Sequence, residues 1–189
     1  MNKTVKLLAT TGVIGSCGGA YFVVQPLLST NERMTIADFN KNGVWKAIFL
    51  THKEDVNFKS VFSLTGSEDI NTASVSIRDK CKQLVKDNYK ELVKKWCVVP
   101  VPKTIETRLY LDEYELSSEE DYKSIWDSHK NNPLFESVIT NGEFNSNIAA
   151  NGDFSKVKSW CEETFKKPVN DADLKNSKAL CLKGSVGFK

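Results

Sequence analysis

An internal match limits how this chain can fold more than any other feature. Residues Trp45-Lys46-Ala47-Ile48-Phe49-Leu50-Thr51-His52-Lys53 run in step with Tyr122-Lys123-Ser124-Ile125-Trp126-Asp127-Ser128-His129-Lys130 at a constant offset of 77. The same offset pairs Phe58, Ser60 and Val61 with Phe135, Ser137 and Val138, so seven of seventeen positions are identical. Upstream, Arg33-Met34 and Phe39 match Arg108-Leu109 and Tyr114 at an offset of 75. Downstream, Cys81 and Cys97 find counterparts in Cys161 and Cys181 once small insertions are allowed. Self-similarity at a fixed spacing signals one supersecondary unit used more than once. The expectation is two similar small units, residues 30–101 and 102–189, after an N-terminal segment 1–29. Whether the two pack as a single domain stays open at this level.

Both units read as mainly α. Trp45, Ile48, Phe49 and His52 recur at the i, i+3, i+4, i+7 spacing of one helix face, and Tyr122, Ile125, Trp126 and His129 repeat it. Ser117 with Glu120, or Ser118 with Asp121, offers a capping box ahead of the second stripe. Phe154, Val157, Cys161 and Phe165 form another stripe, with Asp153 placed to cap it. Ile77, Cys81, Leu84 and Val85, continued by Tyr89, Leu92, Val93 and Trp96, make a longer one. Pro100-Val101-Pro102 ends helix and extends the chain between the units. Pro102-Lys103-Thr104 then offers a cap for a short helix holding Ile105, Leu109 and Tyr114. Asn141-Gly142 and Asn151-Gly152 mark turns around a polar loop.

Four cysteines outside the N-terminal segment leave three connectivities, and the duplication favours Cys81 with Cys97 and Cys161 with Cys181. One continuous helix would hold Cys81 and Cys97 about 24 Å apart, whereas a disulfide needs Cα atoms within about 7 Å. The pairing therefore demands a break inside each unit. Pro168, Asn170 and Asp171 supply one in the second unit, and Asp87-Asn88 is the weaker counterpart in the first. Each bridge would close a short loop and contribute about 3 kcal/mol by restricting the unfolded chain. The alternative is four buried thiols. Neither spacing suits CxxC redox chemistry or a compact zinc cluster.

The N-terminus carries Lys3 and Lys6 and then eighteen uncharged residues, Leu7 to Val24. As a helix these span about 27 Å, adequate for a bilayer core of about 30 Å. Positive charge ahead of the segment directs the C-terminal part outward. The expectation is a single-pass transmembrane helix with the C-terminal domain extracellular. Cleavage after Ala20 would instead secrete the domain, and lipidation of Cys17 within Ile14-Gly15-Ser16-Cys17 would tether it. Gly15 and Gly19 have the spacing of a helix-pairing motif, a route to oligomers in the membrane.

Beyond Val24 the chain has equal numbers of basic and acidic side chains, and its only arginines are Arg33, Arg78 and Arg108. A neutral, arginine-poor domain has neither the field nor the guanidinium forks of a nucleic-acid binder. Lys82, Lys86, Lys90 and Lys94 recur every fourth residue and would share one face of any helix containing them, a candidate strip for an anionic ligand. His52 and His129 occupy equivalent positions, which suits a repeated structural role; as metal ligands they would have to converge with carboxylates. No catalytic fingerprint such as HExxH or a phosphate loop is present, and no cofactor is expected.

The element Lys95-Trp96-Cys97-Val98-Val99-Pro100-Val101, followed by Glu106-Thr107-Arg108-Leu109 and preceded by Cys81 and a Gly-rich apolar segment, resembles the large paralogous families of uncharacterised proteins in haemotropic mycoplasmas. The second unit departs from it, ending Leu180-Cys181-Leu182-Lys183 without the tryptophan or proline. The resemblance implies a membrane-associated protein for which surface exposure and antigenic variation are the usual expectation, and it brings no catalytic residue. The leading expectation is thus a membrane-anchored surface protein acting as an antigen or as a module that meets a protein or host surface, with membrane lipid as its other partner. The alternatives are a structural or accessory membrane protein and, more distantly, a metal-dependent enzyme using His52 and His129.

Overall fold

A computed structural model of the chain describes residues 36–139 and 154–185. The segment Leu7 to Val24 with Cys17, Gly15 and Gly19, the two Asn-Gly turns and Asp153 lie outside the described residues. Within them the chain is mainly helical and has isolated bridges but no strand. The helices are α1 (Asn42–His52), α2 (Val56–Phe62), α3 (Ile70–Lys86), α4 (Lys90–Trp96), α5 (Ile105–Leu111), α6 (Glu119–His129), α7 (Pro133–Ile139), α8 (Ser155–Phe165) and α9 (Asp171–Leu180). Among the described residues no helix is long and apolar enough to cross a membrane.

Side-chain caps set most of the starts, because the first backbone N–H groups of a helix have no partner within it. The Asp55 carboxylate accepts from the N–H groups of Asn57 and Phe58, and Asp69 accepts from Asn71 and Thr72. Thr104 opens α5, Asn170 opens α9, and Ser118 with Asp121 forms a reciprocal capping box on α6. The last of these decides between the two boxes that the sequence offers. α5 stops at Leu111 and excludes Tyr114, since Glu113 takes a left-handed φ of 62° that turns the chain away. Tyr114 is exposed, with the Lys178 ammonium 4.9 Å from its ring centre.

The long stripe from Ile77 to Trp96 is two helices. Asn88, at φ 63°, reverses the chain between α3 and α4, and asparagine is one of the few side chains that enter this region readily. The reversal brings the Cα atoms of Cys81 and Cys97 to 5.8 Å, and the turn around Pro168 brings those of Cys161 and Cys181 to 5.7 Å. Both pairs are disulfides, and all four residues are fully buried.

Two apolar cores form around these bridges. The first gathers Trp45, Ile48, Phe58, Ile77, Val93 and Trp96 about Cys81 and Cys97. The second gathers Ile105, Leu109, Ile125, Phe135, Val157 and Leu180 about Cys161 and Cys181. Each large side chain taken fully out of water contributes about 1.5 to 3 kcal/mol, so each half has its own source of stability.

The halves meet where α1 lies on α5. A Cβ built at Gly43 would stand 2.0 Å from the carbonyl oxygen of Tyr110, so the backbones touch without a side chain between them. One turn further along the same face, Ala47 is fully buried. Pro100 to Lys103 lead into α5 without regular structure, and the start of α5 is held by a hydrogen bond from the Ile105 N–H to the Lys167 carbonyl at 3.0 Å.

Candidate functional site

His52 and His129 end α1 and α6 and serve the turns that follow. The His52 carbonyl accepts from the Asp55 N–H at 2.8 Å, and the His129 carbonyl accepts from the Asn132 N–H at 2.7 Å. Their rings pack on aromatic neighbours. His52 lies 5.4 Å from the Phe58 ring centre and 5.1 Å from that of Trp96, edge-on to the latter. His129 lies 5.8 Å from Phe135. Burial against these rings pushes the His52 imidazole below its ordinary value; Asp55 opposes this, and Lys103 and Lys95 add to it. The two histidines thus belong to different cores and do not converge. Among the described residues no three His, Cys, Asp or Glu side chains group in a way that could hold a metal ion.

The row Lys82, Lys86, Lys90 and Lys94 is not a single face. Lys82 and Lys86 sit on α3, Lys90 and Lys94 on α4, and the left-handed Asn88 changes the helix axis between them. Two of the four are already engaged: Lys82 lies 3.7 Å from the Asp79 carboxylate and Lys94 lies 3.6 Å from that of Glu91. A fourfold spacing predicts one face only while the helix continues, and here it does not.

Two clefts flank the α1–α5 seam instead. The larger, about 440 Å³, has Lys46, Tyr110, Glu115, Ser118, Asp121 and Lys183 in its wall. Its charges are largely satisfied internally. Lys183 Nζ donates to Glu115 at 2.9 Å, which holds that carboxyl below its usual range, and the Asp121 carboxylate accepts from the Ser118 N–H at 2.8 Å. Burial pushes the Tyr110 phenol well above its ordinary value, with the negative charge of Glu106 adding to the effect, so it stays protonated in physiological conditions.

The smaller cleft, about 260 Å³, forms where the end of α1, the start of α5 and the end of α8 come together. Leu50 and Phe165 give it apolar walls, and Lys53, Lys103, Lys166 and Glu106 supply its charges. Burial pushes the Glu106 carboxyl upward, while Lys53 and Lys166 pull it back. Lys53 belongs to the repeat and Glu106 to the element that carries the resemblance, but no sequence pattern groups these four residues as a site. They come from three separated elements, so no local spacing or motif joins them, and only the tertiary packing of α5 against both α1 and α8 does so.

Comparison with protein-family models, with characterised proteins and with solved structures finds no match to this chain. The chemistry of the clefts therefore rests on their own geometry.

Proposed function

We propose that residues 36–185 are the exported module of a membrane-tethered surface protein whose work is recognition or antigenic display, and that the module is one helical unit used twice. The observation that carries this reading is the pair of buried disulfides, one closing each half. Such bridges form and persist in oxidising surroundings outside the reducing cytosol. The two lysines followed by eighteen uncharged residues at the N-terminus send the following chain in the same direction. The resemblance of residues 95–101 and 106–109 to the mycoplasma surface families is consistent with both.

Support for the duplication lies in matching backbone bonds. The Ala37 N–H donates to the Cys97 carbonyl at 2.9 Å, and the Ser117 N–H donates to the Cys181 carbonyl at 2.9 Å. Beside them, Ile36 bridges Val98 and Leu116 bridges Leu182. After the histidines, Lys59 N–H to Asp55 O and Glu136 N–H to Asn132 O repeat at 3.0 Å each, at the 77-residue offset. The half-buried histidines against Phe58 and Phe135 are then one structural device made twice.

Protease treatment of intact cells tests the topology. The proposal expects the module to be lost from intact cells under conditions that spare a cytosolic marker. A module that survives until the cells are lysed would contradict it.

A further inference from the structure

We propose that the cleft lined by Leu50, Lys53, Lys103, Glu106, Phe165 and Lys166 binds a phosphate monoester with a short apolar body. The inference does not depend on which side of a membrane the module occupies, so it can fail while the topology stands, and the reverse.

Charge, shape and chemistry agree on this ligand. Three lysines and one glutamate line the cleft, and their net charge matches the nearly doubly negative charge of a phosphate monoester at neutral pH. Among the described residues Lys53, Lys103 and Lys166 form no ion pair, unlike Lys158, Lys178 and Lys183, each of which holds a carboxylate at 3.2 Å or less. Lysines act as separate point charges and suit a tetrahedral anion, whereas planar bidentate recognition of a carboxylate is the province of arginine, and the cleft has none.

Helix ends account for part of this arrangement but not for all of it. Lys53 and Lys166 follow the last residues of α1 and α8, where a cation complements the carbonyl end of a helix. Lys103 has no such duty. It precedes the first turn of α5, the end at which a positive charge is disfavoured, yet it stands in the same cleft. A volume of about 260 Å³ falls just under the usual range for small-molecule sites, so the ligand is compact. Leu50 and Phe165 line the wall beside the charges and would receive its apolar part.

The same phosphate chemistry occurs on a free metabolite and on a lipid headgroup. The full chain in neutral detergent is titrated with butyl phosphate by calorimetry, and in parallel is tested for co-sedimentation with phosphatidylcholine vesicles with and without phosphatidic acid. Saturable binding of at least one probe is expected, weakened at least tenfold by K53Q/K103Q/K166Q, a variant that should still unfold in one cooperative thermal transition with its midpoint lowered slightly by the loss of Lys53 and Lys166 from their helix ends. The single exposed-linker variant K103Q should weaken it severalfold, and E106Q should tighten it. The variant K86Q/K90Q/K123Q removes the same charge from exposed helix positions elsewhere and should change affinity less than threefold. Either probe responding in this pattern supports the site and names the source of the phosphate. No saturable binding of either probe, or equal weakening by both triple variants, would overturn the proposal.

Discussion

Gly43 is the residue on which the relation of the two halves turns. Any Cβ at this position meets the Tyr110 carbonyl oxygen at 2.0 Å, and backbone atoms cannot swing aside as a side-chain tip can. Gly43→Ala should therefore destabilise by about 1 to 3 kcal/mol, the usual range for overpacking, although alanine is the better helix former; denaturant unfolding of the two proteins measures the difference. His52 carries a second prediction at this scale. Burial holds its imidazole below the ordinary value in the folded protein because it disfavours the charged form. The unfolded chain thus takes up the proton first as pH falls, so the contribution is level above the ordinary value and stability drops as pH goes below it. His52→Phe keeps a ring against Phe58 and Trp96 and removes the titration. The stability of the variant relative to the parent should rise as pH falls from 7 toward 5. The repeat made a structural role for His52 legible, but neither its desolvation nor the part played by Gly43 was. A glycine inside a helical stripe carries no mark of what approaches it, and a histidine at i+7 carries no mark of the rings that desolvate it.

At the scale of elements, what depends on neighbouring residues was readable. The stripes of α1 and α6 follow from the spacing of Trp45, Ile48 and Phe49 and of Tyr122, Ile125 and Trp126, all of which are buried. The capping box at Ser118 and the caps at Thr104 and Asn170 follow from short polar side chains ahead of apolar periodicity. The cysteine pairing was accessible because a repeat constrains connectivity in a way that single spacings do not. The exact break in the first unit was weaker in the sequence, since Asn88 has no proline beside it and its left-handed conformation depends on the packing of α4 back onto α3. That same break divides the lysine row, whose fourfold spacing describes one face only within a continuous helix. The bridges close loops with sequence separations of 16 and 20 residues. Replacing Cys161 and Cys181 with alanine should cost about 3 kcal/mol by relaxing the unfolded chain. Unfolding midpoints measured with and without reductant should differ in the parent and coincide much more closely once both bridges have been replaced.

The described residues build two disulfide-closed cores that meet along the α1–α5 seam, with the clefts set on either side of it. Because α5 contributes Ile105 and Leu109 to the second core while resting on α1 of the first half, the halves should unfold in one transition. Calorimetry is expected to give a single peak for the parent and a broadened or divided one for Gly43→Ala. The seam was beyond the reach of sequence because it joins α1 to a helix of the other half, and a duplicated pattern describes each unit without describing how one meets the next. The proposed module is exported and built of two separately closed units, and the cysteines report on both properties. Protein taken from intact cells is alkylated before and after reduction and mapped by mass spectrometry. The account predicts that Cys81, Cys97, Cys161 and Cys181 are modified only after reduction and that the bridged peptides are Cys81 with Cys97 and Cys161 with Cys181. Free thiols at these positions without reductant, or a bridge joining one half to the other, would contradict it.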